Sequence, residues 1–274
     1  MESMDRFKLD IALPPLPSTV ARVGELISSR ETDIDTLIDI VKHDPSVSVD
    51  LLRRVNSAYY SITREVESID QAVRLLGFVD VSSPILIEGM NGVRNRFADH
   101  PQLFRHILQA AVFSGRFAQL LAEELDLPRP WLRVAFSTGL VLGTVRLVLL
   151  HARPDRYADL VQTTPGPLPA PHEEQRAFGD SHASIAPRAC ARWGLPERIG
   201  SVLYAAQRRM RTAASAKMRL ATVVRISEEL ARQNAGGFQF DPPEDLRALA
   251  CVTAGDVRAA ARSAATYADD VGSA

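Results

Sequence analysis

The stretch from Leu13 to Gly77 constrains the fold most, because helix start and stop signals recur along it while the apolar residues between them keep a helical period. Pro14-Pro15-Leu16-Pro17-Ser18 precedes the stripe Val20, Val23, Leu26 and Ile27, and a second stripe follows at Ile34, Leu37, Ile38 and Val41. Asp44 stands immediately before Pro45. That order puts a carboxylate at an N-cap and proline at the first helical position, where its missing N–H costs nothing. The helix so started should bury Val47, Leu51, Leu52 and Val55. Ser68-Ile69-Asp70-Gln71 fits a capping box ahead of Ala72, Val73, Leu75 and Leu76, and Gly77 supplies the stop. Short amphipathic helices packed on one another are the structure such a string allows.

The remainder reads the same way. A more hydrophobic helix is expected through Ile85, Leu86 and Ile87, then a polar connection over Asn95–Pro101 that serves as the boundary. Long helices are expected over about 101–125 and 130–150, followed by a Pro/Gly-rich loop from Thr163 to Pro171. Further helices should cover roughly 181–193, 196–208, 216–233 and 254–268, the last opened by the box-like Thr253-Ala254-Gly255-Asp256. No Asn-Gly or Asp-Gly turn sits between alternating apolar runs, and no fixed-period repeat is visible. The expected class is all-α. Residues 1–12 read as an N-terminal extension, 13–97 as a first helical subdomain and 98–274 as a second.

Composition narrows the function classes. With 46% hydrophobic residues, 24% charged and a net charge of −1 over 274 residues, the chain has the profile of a globular protein with a substantial core. It lacks the clustered positive charge of a dedicated nucleic-acid binder. The densest basic run, Arg208, Arg209, Arg211, Lys217 and Arg219, reads as a solvated helix end. Met1–Arg6 has no basic-then-apolar leader pattern, and no uninterrupted apolar run approaches the ~20 residues of a spanning helix. A cytoplasmic location without membrane attachment is the expectation. Cys190 and Cys251, the two cysteines, have no metal or redox spacing and read as small buried side chains.

Four blocks then stand in order: Leu13-Pro14-Pro15-Leu16-Pro17; Asp44-Pro45; Leu51 to Tyr60, ending Asn56-Ser57-Ala58-Tyr59-Tyr60; and Ile69 to Gly77. Together they resemble the HDOD domain of bacterial signalling proteins. The resemblance continues through Gly139-Leu140, Gly179-Asp180-Ser181-His182-Ala183 and Trp193-Gly194-Leu195-Pro196. It implies a helical, two-part body whose second half is similar to the HD-type metal-dependent phosphohydrolases. It also gives Pro15, Pro17, Asp44, Pro45, Asn56, Ser57, Gly77, Gly139, Trp193 and Pro196 structural roles.

An HD-type centre holds a divalent cation between imidazoles and carboxylates from several helices, with an adjacent His-Asp pair at its heart. In the matching run, Gly139 to Leu147, that pair falls on Leu142 and Gly143, which offer no ligand atom. The later His-His of many relatives falls near Ala205 and Ala206. His106 and His182 match two superfamily histidines, as a remnant pocket for a small anion or weak metal or as hydrogen-bonded packing residues; the second role is the expected one. Arg146, one turn beyond the lost pair, could put a guanidinium in the metal's place, although a surface salt bridge is expected.

No other catalytic constellation is present. Glu173-Glu174 and Glu228-Glu229 are helix neighbours about 100° apart, so neither pair makes an acid/base site by itself. Walker A, dinucleotide and GxSxG motifs are absent from the sequence. Asn56, Tyr59 and Tyr60 could line a partner groove; Asn56 could equally end its helix and satisfy loop backbone. The expected function is a non-catalytic signal-transduction module without cofactor, its degenerate active site inert, acting on other signalling proteins supplied in trans. The alternatives are a divergent phosphohydrolase and a nucleotide sensor in which Arg146 or Arg188 faces phosphate.

Overall fold

The computed structural model describes residues 34–43, 45–57, 60, 66–77, 80–81, 94–207, 215–233 and 253–272. Among these there is no strand. The stripe at Val20–Ile27, the proline-rich opening with Pro15 and Pro17, Asp44, Tyr59, the Ile85–Ile87 helix, Arg208, Arg209, Arg211 and Cys251 lie outside the described residues.

In the first part, α1 (Ile34–Lys42) packs on α2 (Pro45–Val55), burying Leu37, Ile38, Val41, Val47, Leu51 and Val55. Helix α3 spans residues 69–77. The Gln71 N–H donates to Ser68 Oγ at 3.2 Å, and Gly77 follows with φ +79°, the left-handed conformation that only glycine adopts without strain.

In the second part α4 (Pro101–Glu124) is central. Against it pack α5 (Arg129–Thr144), α11 (Ala216–Gln233) and α12 (Ala254–Gly272). Helices α9 (His182–Arg192) and α10 (Glu197–Ala206) close the side facing α5 and α11. Small residues let α4 and α5 touch backbone to backbone. A Cβ placed on Gly139 would stand 2.5 Å from the Ser114 carbonyl oxygen, and one on Gly143 would stand 2.6 Å from the Ala111 Cα.

The helix expected over 130–150 is broken after Thr144, and a separate helix, α6 (Arg146–Ala152), follows. Thr144 Oγ1 donates to the Leu140 carbonyl at 2.6 Å, a back-bond that bends helices, and the Val148 N–H reaches Val145 O at 3.0 Å in a tightened turn. The stretch Arg129–Ala152 is long and apolar enough, by length and composition, to cross a membrane; 89% of its most apolar window is buried in this fold. Two helices had no expectation, α7 (Pro154–Thr163) and α8 (Pro171–Phe178). Both carry proline at the start, and the Glu173 carboxylate accepts from the Ala170 N–H at 2.6 Å.

Candidate functional site

Turn chemistry brings four distant residues to one point. Gly179, with φ +79°, ends α8 and reverses the chain, and Ser181 caps α9 by accepting from the Ser184 N–H at 3.2 Å. The first residue of α9, His182, therefore faces back onto Glu174 in the middle of α8. Its backbone N–H donates to Glu174 Oε2 at 2.8 Å, placing a carboxylate at the positive end of α9. Arg146 opens α6 directly after the break, and Glu228 comes from α11. Arg146, Glu174 and His182 are buried, with relative exposures of 2%, 0% and 0%, and Glu228 is nearly so at 8%.

The contacts link all four. His182 Nδ1 lies 2.5 Å from Glu174 Oε2, and its Nε2 faces Glu228 Oε1 at 3.4 Å. Arg146 Nη2 donates to Glu228 Oε1 at 2.6 Å and to the Pro169 carbonyl at 3.2 Å, while its Nε lies 3.6 Å from Glu174 Oε1. The fully buried Tyr157 on α7 donates its hydroxyl to Glu174 Oε1 at 3.0 Å.

Electrostatics follow from this geometry. Burial pushes the Glu174 carboxyl up, but the His182 and Arg146 charges outweigh it and hold the group below the usual carboxylate range. For Glu228 burial is again opposed, by the His182 imidazole 3.4 Å away and the Arg146 charge, which bring it down to about 2. Burial and Arg146 work against a charged His182, yet the two carboxylates raise it above its ordinary value. Arg146 is held more firmly protonated than usual, Glu228 and Glu174 overriding its burial.

This donor set does not fit a divalent metal. Both carboxylates and the imidazole are spent on each other and on a guanidinium that already supplies positive charge. Among the described residues no group of three or more His, Cys, Asp or Glu side chains is arranged to hold an ion. Leu142 fills the core at 4% exposure, and Gly143 is pressed against Ala111, so the position to which the resemblance assigns the pair is closed by packing. Ala205 and Ala206 are buried in α10.

The other named residues are dispersed. His106 is exposed on α4 and shares no pocket with buried His182. Arg146 corrects the expectation of a surface salt bridge, since the helix break turns it inward. Arg188 is exposed and donates to Asp180 Oδ2 at 2.9 Å. Asn56 pins a loop: its Nδ2 donates to the Leu52 and Val66 carbonyls, both at 2.9 Å, and its Oδ1 accepts from the Val66 N–H at 2.8 Å. Ser57 continues that helix end, its N–H donating to Arg54 O at 2.9 Å. Tyr60 is partly buried near Asp80, Arg116 and Tyr267, and burial raises its hydroxyl pKa. Half-buried Trp193 and Pro196 flank the α9–α10 turn, where Gly194 takes φ +65°. Cys190 is buried, and desolvation pushes its thiol up to about 11, away from reactivity. Glu174 and Glu228, set aside in the sequence as halves of adjacent pairs, are the residues that complete the cluster.

The HDOD domain family model matches residues 13–209. An HDOD domain protein of unknown function from Geobacter sulfurreducens is 18% identical, with TM-score 0.68, covering 95% of this chain and 91% of that one. A protein from Marinobacter aquaeolei VT8, provisionally named a signal transduction protein, is 22% identical with TM-score 0.69 and covers 95% and 58%. A provisionally named phosphohydrolase from Shewanella amazonensis SB2B is 18% identical with TM-score 0.62 and covers 95% and 93%. At these identities the likeness concerns the fold. Uncharacterised proteins from Treponema pallidum and Bacillus subtilis, the latter called YuxH, are each 23% identical over 68% and 51% of this chain. The matches span only 36% and 32% of those two proteins.

Proposed function

The chain belongs to the HDOD domain family, and from that premise we propose that it is a non-catalytic, cytoplasmic bacterial signalling module that works by binding other signalling proteins. One observation carries the reading: the guanidinium of Arg146 lies between the Glu174 and Glu228 carboxylates and shares them with the His182 imidazole, so the buried charges of this site are paired with one another. With its cation place taken from within, the second subdomain acts as a scaffold for helical surfaces. The name of the Marinobacter neighbour supports the signalling half of the proposal.

The test is metal retention joined to turnover. Purified protein is incubated with manganese, iron and zinc, desalted and analysed by elemental mass spectrometry, then offered bis(p-nitrophenyl) phosphate. Metal far below one per chain and no hydrolysis is the expected result. A retained metal with turnover overturns the proposal in favour of a divergent phosphohydrolase, the other reading of the fold. Stabilisation by a nucleotide, read as a raised melting midpoint, would favour a sensor instead.

A further inference from the structure

The buried cluster has the charge pattern of a filled cation site. Glu174 and Glu228 bring two negative charges, and His182 presents one ring nitrogen to each, at 2.5 and 3.4 Å. Nδ1 is within hydrogen-bonding distance of Glu174, while Nε2 makes no hydrogen bond and stands at ion-pair distance from Glu228, so the ring lies between two carboxylates that favour its charged form. With Arg146 added, two positive charges balance two negative ones where an unbalanced charge is strongly destabilising.

We infer that Arg146 is the resident cation of this site, its guanidinium fastening α6 to α8 and α11 in the role a divalent ion plays in a metal centre. The inference deepens the reading of the site as metal-free and rests on it. The geometry sets the consequence. Taking away the guanidinium leaves two carboxylates and an imidazole, contributed by α8, α11 and α9, around the space it filled. With Arg146 in place these three side chains are not arranged to hold an ion; without it they carry the nitrogen and oxygen atoms that zinc takes and would have to turn toward it. The cluster, independent of metal with Arg146 present, becomes cation-requiring without it. Guanidinium and ion are then alternative occupants of one place.

Zinc alone is the probe, added to the full chain. Thermal unfolding is followed for the wild type, for Arg146→Ala and for the double variant Arg146→Ala with Glu228→Gln. The wild-type midpoint should not move with zinc. Arg146→Ala should melt lower and recover by about 5 °C or more when zinc is present at many times its dissociation constant. The double variant has one buried negative charge fewer. It should melt at or above Arg146→Ala without zinc and respond less to it. Indifference of Arg146→Ala to zinc, or a double variant less stable than the single one, overturns the inference. Where Arg146→Ala alone is unfolded, a folded double variant supports the charge balance and an unfolded one refutes it. Zinc uptake and phosphoester turnover by the wild type would sink the proposed function, and that outcome is separate from the ranking of the two variants.

Discussion

Replacing Gly143 by alanine tests whether the position to which the resemblance assigns a metal-binding pair is closed. In an open helix interior the change should stabilise by roughly 1 kcal/mol, since alanine is the better helix former. Here the added Cβ would stand 2.6 Å from the Ala111 Cα and 2.7 Å from its Cβ. Carbon atoms pack comfortably at about 3.5–4.0 Å, so α4 and α5 must separate by about 1 Å. The atoms in the way are backbone and a methyl with no rotamer to escape into. Overpacking of this kind costs about 1–3 kcal/mol and sometimes more. Set against the helix-forming gain, it leaves a net loss of about 0–2 kcal/mol, and the contacts of 2.6 and 2.7 Å put this site toward the upper end. Gly200→Ala is the matched control on α10: its Cβ would meet Cys190 Sγ at 3.7 Å, an ordinary contact, so the variant should be neutral or gain up to ~1 kcal/mol. Urea unfolding followed by circular dichroism reads both. A Gly143→Ala protein as stable as the wild type, or two variants of the same sign, would refute the argument. It would also reopen the possibility that an aspartate at residue 143 could reach a cation.

The charge cluster makes stability depend on pH from two sides. Glu228, lowered to about 2 from 4.5, contributes stability that is whole above about pH 4.5 and drains as the pH falls toward 2. His182, raised above 6.5, contributes stability that is whole below that value and is lost as the pH climbs through its folded pKa, at up to ~1.4 kcal/mol per pH unit. Urea midpoints should therefore peak between about pH 4.5 and 6.5, with an alkaline limb that flattens in His182→Gln; an unchanged limb counts against the imidazolium. Tyr157→Phe removes a buried donor to the Glu174 carboxylate and should cost about 1.5–3 kcal/mol in the same assay, a neutral result excluding that bond. Asn56→Ala frees the Val66 backbone and should cost about 1–2 kcal/mol, with faster hydrogen exchange at the Val66 amide as its local signature; unchanged exchange would contradict the pin.

What the sequence disclosed was local. Ser68 with Gln71 and Thr253 with Asp256 are contacts between residues three apart, and the structure forms them as hydrogen bonds. Helices α7 and α8 carry almost no apolar stripe, burying only Tyr157 in the one and Glu174 and Phe178 in the other, and a proline at each start reads equally well as a loop. The charge cluster was hidden for a different reason: Arg146 and Glu228 are 82 positions apart, and no periodicity reports a contact across that distance.

A weaker signal was nevertheless in the string. Glu228 follows Val224 by four residues and precedes Ala231 by three, so it falls on the buried stripe of its helix, while Glu229 turns outward to Arg232. Glu174 stands four before buried Phe178, and its neighbour Glu173 serves the helix start. Arg146 interrupts the apolar run Val145 to Leu150. A charge on an apolar stripe must find an opposite charge inside the fold, because burying it alone is prohibitive. With His182 charged, as its two carboxylate neighbours favour, the four residues sum to zero net charge, and only the fold shows which buried charges are partners. The adjacent glutamates divide in the same way: Glu174 and Glu228 are buried, Glu173 and Glu229 only partly so, and the two buried carboxylates meet through His182 and Arg146.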